Sequence, residues 1–189
     1  MMTTYIALLR GINVGGHHKI KMADLRALFN SLGYDHVQSY IQSGNVLFQS
    51  WEKKESLHEQ IEEAILNEFG FSVPVILRTA GEIEEIVSSC PFPEEWILEA
   101  ANASEHESLY VVMLSEPATD DRLALLQSYV NDYERIEVAG ENAYLLFRDS
   151  VRHSKLAGQL HKLGEPQTMR NWKTMNKLLQ LANGIREDE

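Results

Sequence analysis

The feature that most constrains this chain is the order in which its apolar residues change period, because that order returns once along the sequence. Tyr5-Ile6-Ala7-Leu8-Leu9 is a continuous apolar run that ends at Gly11, the pattern of a buried strand. From about Met22 to Leu32 the period is helical, with Leu25, Leu28, Phe29 and Leu32 on one side and Gly33 placed to end the helix. Val37–Ile41 and Val46–Phe48 read as strands joined by the polar hairpin Gln42-Ser43-Gly44-Asn45. Leu57, Ile61, Ala64 and Ile65 mark a second helix closed by Gly70, followed by the β-branched run Val73–Leu77. The result is β-α-β-β-α-β, the order of a ferredoxin-like split βαβ unit.

After a helix near Gly81–Ser89 and the breaker Cys90-Pro91-Phe92-Pro93, much of this order recurs. Leu109–Leu114 reads as a strand, Asp120–Val130 as a helix, Ile136–Val138 and Tyr144–Phe147 as strands around Gly140-Glu141-Asn142, and Ser154–Leu163 as a helix. The last strand of the unit is replaced in this reading by Pro166 and a further helix capped by Thr168. The expected architecture is α+β: two tandem ferredoxin-like subdomains, the second ending in an extra helix. Residues 1–79 form the first half, 80–106 a helical linker and 107–189 the second half.

In a split βαβ unit, strands one and two run parallel with strand three between them. The loop leaving strand one and the hairpin joining strands two and three therefore meet at one sheet edge. This brings Arg10-Gly11-Ile12-Asn13-Val14-Gly15-Gly16 to Gln42-Ser43-Gly44-Asn45. Glycines let the backbone approach a ligand, while Arg10, Asn13, Gln42, Ser43 and Asn45 supply donors and acceptors. The same residues also suit turn capping without any ligand.

Charge sharpens the picture. The chain carries 17 Lys and Arg against 28 Asp and Glu, a net charge of −11. Up to Lys21 there are Arg10, Lys19 and Lys21 and no acid, whereas Met22–Asp149 holds seven bases against 24 acids, and Ser150–Arg186 is basic again with Glu165 its one acid. The basic ends can fold against the acidic middle or meet at a shared anion site. In the final helix, Trp172, Met175, Leu179 and Ala182 share one face and Arg170, Lys173 and Lys177 roughly the opposite one. Arg170 is the candidate there, since a guanidinium grips a carboxylate or phosphate with two hydrogen bonds.

Several chemistries are disfavoured. The stretch Gly11–His18 has the glycine spacing of a phosphate-binding loop, but His17 and His18 replace its lysine and hydroxyl residue. Adjacent histidines diverge in an extended loop and bring no third ligand, so no metal is expected. Cys90 precedes a proline without a partnering base in sequence, and alone it makes no internal disulfide or thiolate zinc cluster. The acidic balance and the missing aromatic RNA-binding signature disfavour nucleic acid. No apolar run reaches the roughly 18 residues needed to span a bilayer, and the start lacks a basic segment leading into an apolar one, so a soluble cytoplasmic protein is expected. No motif identifies a cofactor.

Three segments, Tyr5–Gly16, Tyr40–Phe48 and Thr168-Met169-Arg170-Asn171-Trp172-Lys173-Thr174, resemble the bacterial family catalogued as domain of unknown function 1697. The resemblance implies a compact cytoplasmic α+β protein with no assigned activity. It directs attention to Arg10, Asn13, Gly15, Gly16, Gln42, Ser43, Gly44, Asn45, Arg170, Asn171 and Trp172. In that family a lysine often follows the double glycine of the first loop. Here His17-His18 follow it, leaving Lys19 and Lys21 as the nearest lysines for such a role. The leading reading is a protein that binds a small anionic or nucleotide-like ligand at the 10–16 loop and 42–45 hairpin. An enzyme acting on a phosphorylated small molecule, and an interaction module or homodimer without catalysis, are the alternatives.

Overall fold

The computed structural model, which describes residues 2–187, divides into two compact units. One runs through Val87 and includes the residues from Asn176 on; the other is Ser88–Met175. In the first, β1 (Thr3–Leu9) lies between β3 (Asn45–Ser50) and β4 (Val75–Thr79) and is antiparallel to both, while β2 (Asp35–Tyr40) pairs antiparallel with the far side of β3. The sheet order is β2-β3-β1-β4, so β1 and β2 run parallel with β3 between them.

Alternation along the strands selects the core. Tyr5, Ala7 and Leu9 of β1, Val46 and Phe48 of β3, and Val75 and Leu77 of β4 share a face. Onto it pack Leu25 and Phe29 of α1 (Met22–Ser31) and Leu57, Ile61 and Ile65 of α2 (Lys54–Phe69), each set spaced four apart so that it forms one stripe. Phe48 anchors the cluster, with its ring centroid 4.6 Å from Tyr34, 5.3 Å from Phe29 and 5.7 Å from Tyr5. Gly70 ends α2 in the left-handed conformation and donates its N–H to Leu66 O at 2.9 Å.

At the end of β4 the chain passes directly into α3 (Ala80–Ser88) through a capping box. Thr79 Oγ1 accepts from Glu82 N at 3.1 Å and the Glu82 carboxylate accepts from Thr79 N at 2.6 Å. Lys54 Nζ adds an ion pair to Glu82 at 2.7 Å. Burial alone would push the Glu82 carboxyl up, but the bonds from Lys54 and Thr79 outweigh it and hold the group below the usual carboxylate range.

The second unit begins with α4 (Glu94–Ala103) and builds its own sheet from β5 (Leu109–Leu114), β6 (Glu134–Ala139), β7 (Asn142–Phe147) and β8 (Gln167–Asn171), in the order β6-β7-β5-β8. Every pairing is antiparallel. Val112, Leu114, Ala143, Leu145 and Phe147 pack with Leu126 of α5 (Asp120–Gln127) and with Leu156, Leu160 and Leu163 from the segment before β8.

β8 corrects the expectation that the second half lacks its last strand. Its sequence, Gln167-Thr168-Met169-Arg170-Asn171, carries no apolar run, yet it pairs along β5 from Tyr110↔Asn171 to Leu114↔Gln167. The cap of the final helix, α7 (Trp172–Glu187), is accordingly Asn171, whose Oδ1 accepts from Thr174 N at 2.8 Å; Thr168 lies within the strand. Met175, Leu178, Ala182 and Ile185 form the buried side of α7, with Leu178 taking the place expected for Leu179.

The expected Ser154–Leu163 helix is broken. Ser154 Oγ caps only the single turn α6 (Lys155–Gly158), and Gln159 leads into a 3-10 turn at Leu160–Leu163. α5 stops at Gln127 because Tyr129 and Val130 bond back three residues, to Leu126 O and Gln127 O. Asn45, expected in the hairpin loop, opens β3. The sequence ends in the acidic run Glu187-Asp188-Glu189, of which Asp188 and Glu189, like Met1, lie outside the described residues.

The two sheets carry a residue-for-residue correspondence that the linear sequence conceals. Tyr5 faces Thr79 and Ile6 faces Arg78 in the first; Tyr110 faces Asn171 and Val111 faces Arg170 in the second. In both, a buried arginine immediately precedes the residue that caps the next helix.

Candidate functional site

The segments after β1 and between β2 and β3 are neighbours. Leu9 donates its N–H to Gly44 O at 2.8 Å, continuing the β1–β3 ladder past its last paired residues. Gly44 has φ +82°, and a Cβ there would lie 2.8 Å from Leu9 Cβ and 2.9 Å from Ile12 Cδ1. Only glycine satisfies both the conformation and the approach.

Asn13 ties the 13–20 loop to the β2–β3 hairpin through one side chain. It adopts φ +57°, a conformation asparagine tolerates, and its carboxamide uses both donors and its oxygen within the protein. Oδ1 accepts from Ile20 N, while Nδ2 donates to Ile20 O and Gln42 O, all at 2.9 Å. Asn13 thereby closes the loop carrying Gly15, Gly16, His17 and His18 and fastens it to the hairpin. The loop is further shaped by a short bridge between Val14 and His17, and the His18 ring stacks on Phe71 with centroids 4.5 Å apart.

These contacts shape a cleft of about 670 Å³ lined by Asn13, Gly16, Lys19, Ile20, Lys21, Met22, Asp24, Gln42 and Phe69. Lys21 occupies the N-cap of α1 without a side-chain cap bond, and Met22 and Asp24 of the first turn lie on the cleft wall. The leading N–H groups of a helix have no intrahelical partners and carry partial positive charge, which adds to that of Lys19 and Lys21. Asp24 is the one acidic residue on the wall among the described residues.

Of the residues singled out in sequence, Asn13, Gly16 and Gln42 line this cleft, together with Lys19 and Lys21, the lysines nearest the first loop. Gly15 is exposed on the same loop. Arg10 is half-buried beside β4, with its N–H on Pro74 O at 2.9 Å, and does not line the cleft. Gly44 and Asn45 are buried, and Asn45 Nδ2 donates to Tyr40 O at 3.0 Å and Ser43 Oγ at 3.1 Å, which holds the turn. Ser43 is thus part of that turn.

Arg170 and Asn171 belong to the other unit. Arg170 is not on a helix face but in β8, only 8% exposed, donating to Thr168 Oγ1 at 2.7 Å and Met169 O at 2.9 Å. Burial lowers its pKa to about 10. Trp172 begins α7. Phe69, Ile20, Met22 and Asp24 also line the cleft but are not among the site residues expected from the sequence, where Met22 and Phe69 read only as helix residues. The signal for them is the abrupt start of a helix at Met22, right after two lysines, and the Gly70 stop that leaves Phe69 at the end of α2.

Among the described residues no cluster of three or more His, Cys, Asp or Glu is arranged to hold a metal ion, and no helix is long and apolar enough to cross a membrane.

Comparison with known proteins gives the same outline. The model of a family described as "Protein of unknown function (DUF1697)" matches residues 2–144. A solved structure, that of a conserved bacterial protein from Streptococcus pneumoniae, is 29% identical, with a TM-score of 0.73 over 96% of this chain and 99% of its own. No curated protein matches the sequence.

Proposed function

We propose that this chain, which belongs to the DUF1697 family of proteins of unknown function, binds a small anionic, nucleotide-like molecule in the cleft between the 10–16 loop and the 42–45 hairpin. The observation that carries the reading is the convergence of Lys19, Lys21 and the first turn of α1 with Asn13 and Gln42 in one cleft. Its volume falls within the range of small-molecule sites. Lysine ammonium groups and free helical N–H groups attract phosphate or carboxylate. Phe69 offers an apolar surface for a ring or sugar, and Asp24 accepts hydrogen bonds from hydroxyl or amino groups of the same ligand. That combination favours a phosphorylated molecule bearing donors over a bare polyanion.

On this reading each unit is a ferredoxin-like module, supported by the strand orders β2-β3-β1-β4 and β6-β7-β5-β8, and the protein works in the cytoplasm. The test is a thermal-shift screen of phosphorylated metabolites against wild type, Arg10→Ala and Lys19→Ala/Lys21→Ala. The reading expects shifts in the first two and none in the third. Equal shifts in all three remove this cleft from consideration.

A further inference from the structure

Natural sheets blunt their open edges with bulges, charges or covering groups. In the first unit β2 is interrupted by a register shift between Asp35 and Gln38, with His36 at φ +50°, and the Val75 N–H of β4 is taken by the Glu62 carboxylate at 2.8 Å. β6, an edge of the second sheet, has no such interruption: all six of its residues pair in step with β7, from Glu134↔Phe147 to Ala139↔Asn142.

The two-residue turn Gly140-Glu141, with Gly140 at φ +58°, makes Ala139 and Asn142 a hydrogen-bonded pair. By alternation, the backbone groups of Glu134, Ile136 and Val138 are directed away from β7. Those of Glu134 are engaged, its N–H with Asn131 O at 3.2 Å and its carbonyl with the Arg135 guanidinium at 2.8 Å. Those of Ile136 and Val138 face outward. Arg135 and Glu137, which alternate with them along the strand, have exposed side chains.

We infer that β6 pairs antiparallel with β6 of a second copy of this chain, with Ile136 opposite Ile136, so that the two sheets continue across a two-fold axis. Charge selects this register. It sets Glu134 opposite Val138, and Arg135 opposite Glu137 of the second copy in non-hydrogen-bonded pairs, where side chains approach most closely. Slipping one step either way, with outward groups still facing each other, puts Arg135 against Arg135 or Glu137 against Glu137. Pairing draws the Arg135 guanidinium from its own Glu134 carbonyl, and from the Asn131 and Asp132 carbonyls at 3.4 Å, to Glu137 of the second copy; this leaves the Glu134 carbonyl to accept from the Val138 N–H of the second copy, while the Glu134 N–H keeps Asn131 O.

Apolar surface flanks the same edge. Trp96 is 44% exposed beneath the Arg135 guanidinium, 5.9 Å from the ring centroid, and Tyr133 is 64% exposed. In the paired register Tyr133 falls opposite Ala139 of the second copy. Exposed aromatic and arginine side chains beside an open edge suit a protein interface.

Sedimentation velocity of the full chain over a concentration series is the test. The expected result is a reversible monomer–dimer equilibrium, abolished by Val138→Pro, which removes an outward N–H without breaking a bond to β7; circular dichroism checks that this variant stays folded. Arg135→Glu and Glu137→Arg each weaken association about tenfold, the double reversal restores it, and an equimolar mixture of the two single variants forms a heterodimer. A monomer at every concentration overturns the inference, as does a dimer indifferent to both charge reversals, which would place the contact elsewhere or leave the edge to another protein's strand.

Discussion

The side-chain amide of Asn13 donates to the main-chain carbonyl of Gln42 across 2.9 Å, tying together two segments separated by 29 positions. Because the same carboxamide also exchanges two hydrogen bonds with Ile20, Asn13 spends its bonding capacity on the scaffold. Its role is to position the cleft wall, and on the proposed function a ligand would meet the groups that Asn13 arranges.

Asn13→Ala should therefore destabilise the first unit by about 1–3 kcal/mol, the cost of leaving partly buried backbone groups without their partners. Asn13→Asp keeps the size but aims a carboxylate at two carbonyl oxygens, and should be at least as damaging. Chemical denaturation of both variants checks this. If either unfolds with the wild-type midpoint, the brace is not structural.

Gly44→Ala meets two penalties together, a left-handed φ and a Cβ 2.8 Å from Leu9 Cβ. A loss of about 2 kcal/mol or more is expected. Gly16→Ala offers the contrast, since its φ of +83° is equally unfavourable but no atom lies within 4 Å of the added Cβ. Its loss should be smaller, about 1 kcal/mol. The difference between the two melting temperatures reads the close packing of hairpin and loop directly.

Ile41, at the tip of the β2–β3 hairpin, is held at φ +50° and is about half exposed. A β-branched residue in that region is strained. Ile41→Gly should raise stability by up to about 1 kcal/mol, relief of strain exceeding the added freedom of the unfolded chain. Thermal denaturation checks the sign.

Glu82 gives the first unit an acid limb. Its carboxyl lies below the ordinary value when folded. Its contribution is therefore complete above the unfolded value of about 4.3 and is lost as pH falls through the lower folded value. Glu82→Gln should narrow its stability gap from wild type as pH falls through that window. A gap constant from neutral pH down to the acid limb contradicts the capping assignment.

Much of the first sheet was legible because its local signals agree. The apolar run of β1, the glycine stops after α1 and α2, and the polar turn between β2 and β3 fall close to where the structure has them, so the sequence alone brings the 10–16 loop to the 42–45 hairpin at one sheet edge; the structure adds the Leu9–Gly44 bond and moves Asn45 into β3. β8 was not legible for the opposite reason. Its residues lack strand character, and Thr168, Pro166 and the helical pattern from Trp172 on imitate a capped helix; what makes it a strand is pairing with β5, more than fifty positions earlier. Arg170 went astray with it: counted along a helix it sits on a basic face, but in a strand it is buried. The cleft was half visible. Asn13 and Gln42 follow from the topology, whereas Phe69 reaches the wall only through the packing of α2, which periodicity does not specify.

On the proposed function, Lys19 and Lys21, set against the first turn of α1, make an anion-binding cleft. Isothermal titration of the full chain with nucleoside monophosphates and sugar phosphates, at low and moderate salt, tests it most directly. Binding should weaken with salt, fall at least about tenfold in Lys19→Ala/Lys21→Ala and stay nearly unchanged in Lys173→Ala/Lys177→Ala, two basic residues of α7 that do not line the cleft. Affinity unaltered by removing Lys19 and Lys21, or no binding of any such ligand, contradicts it.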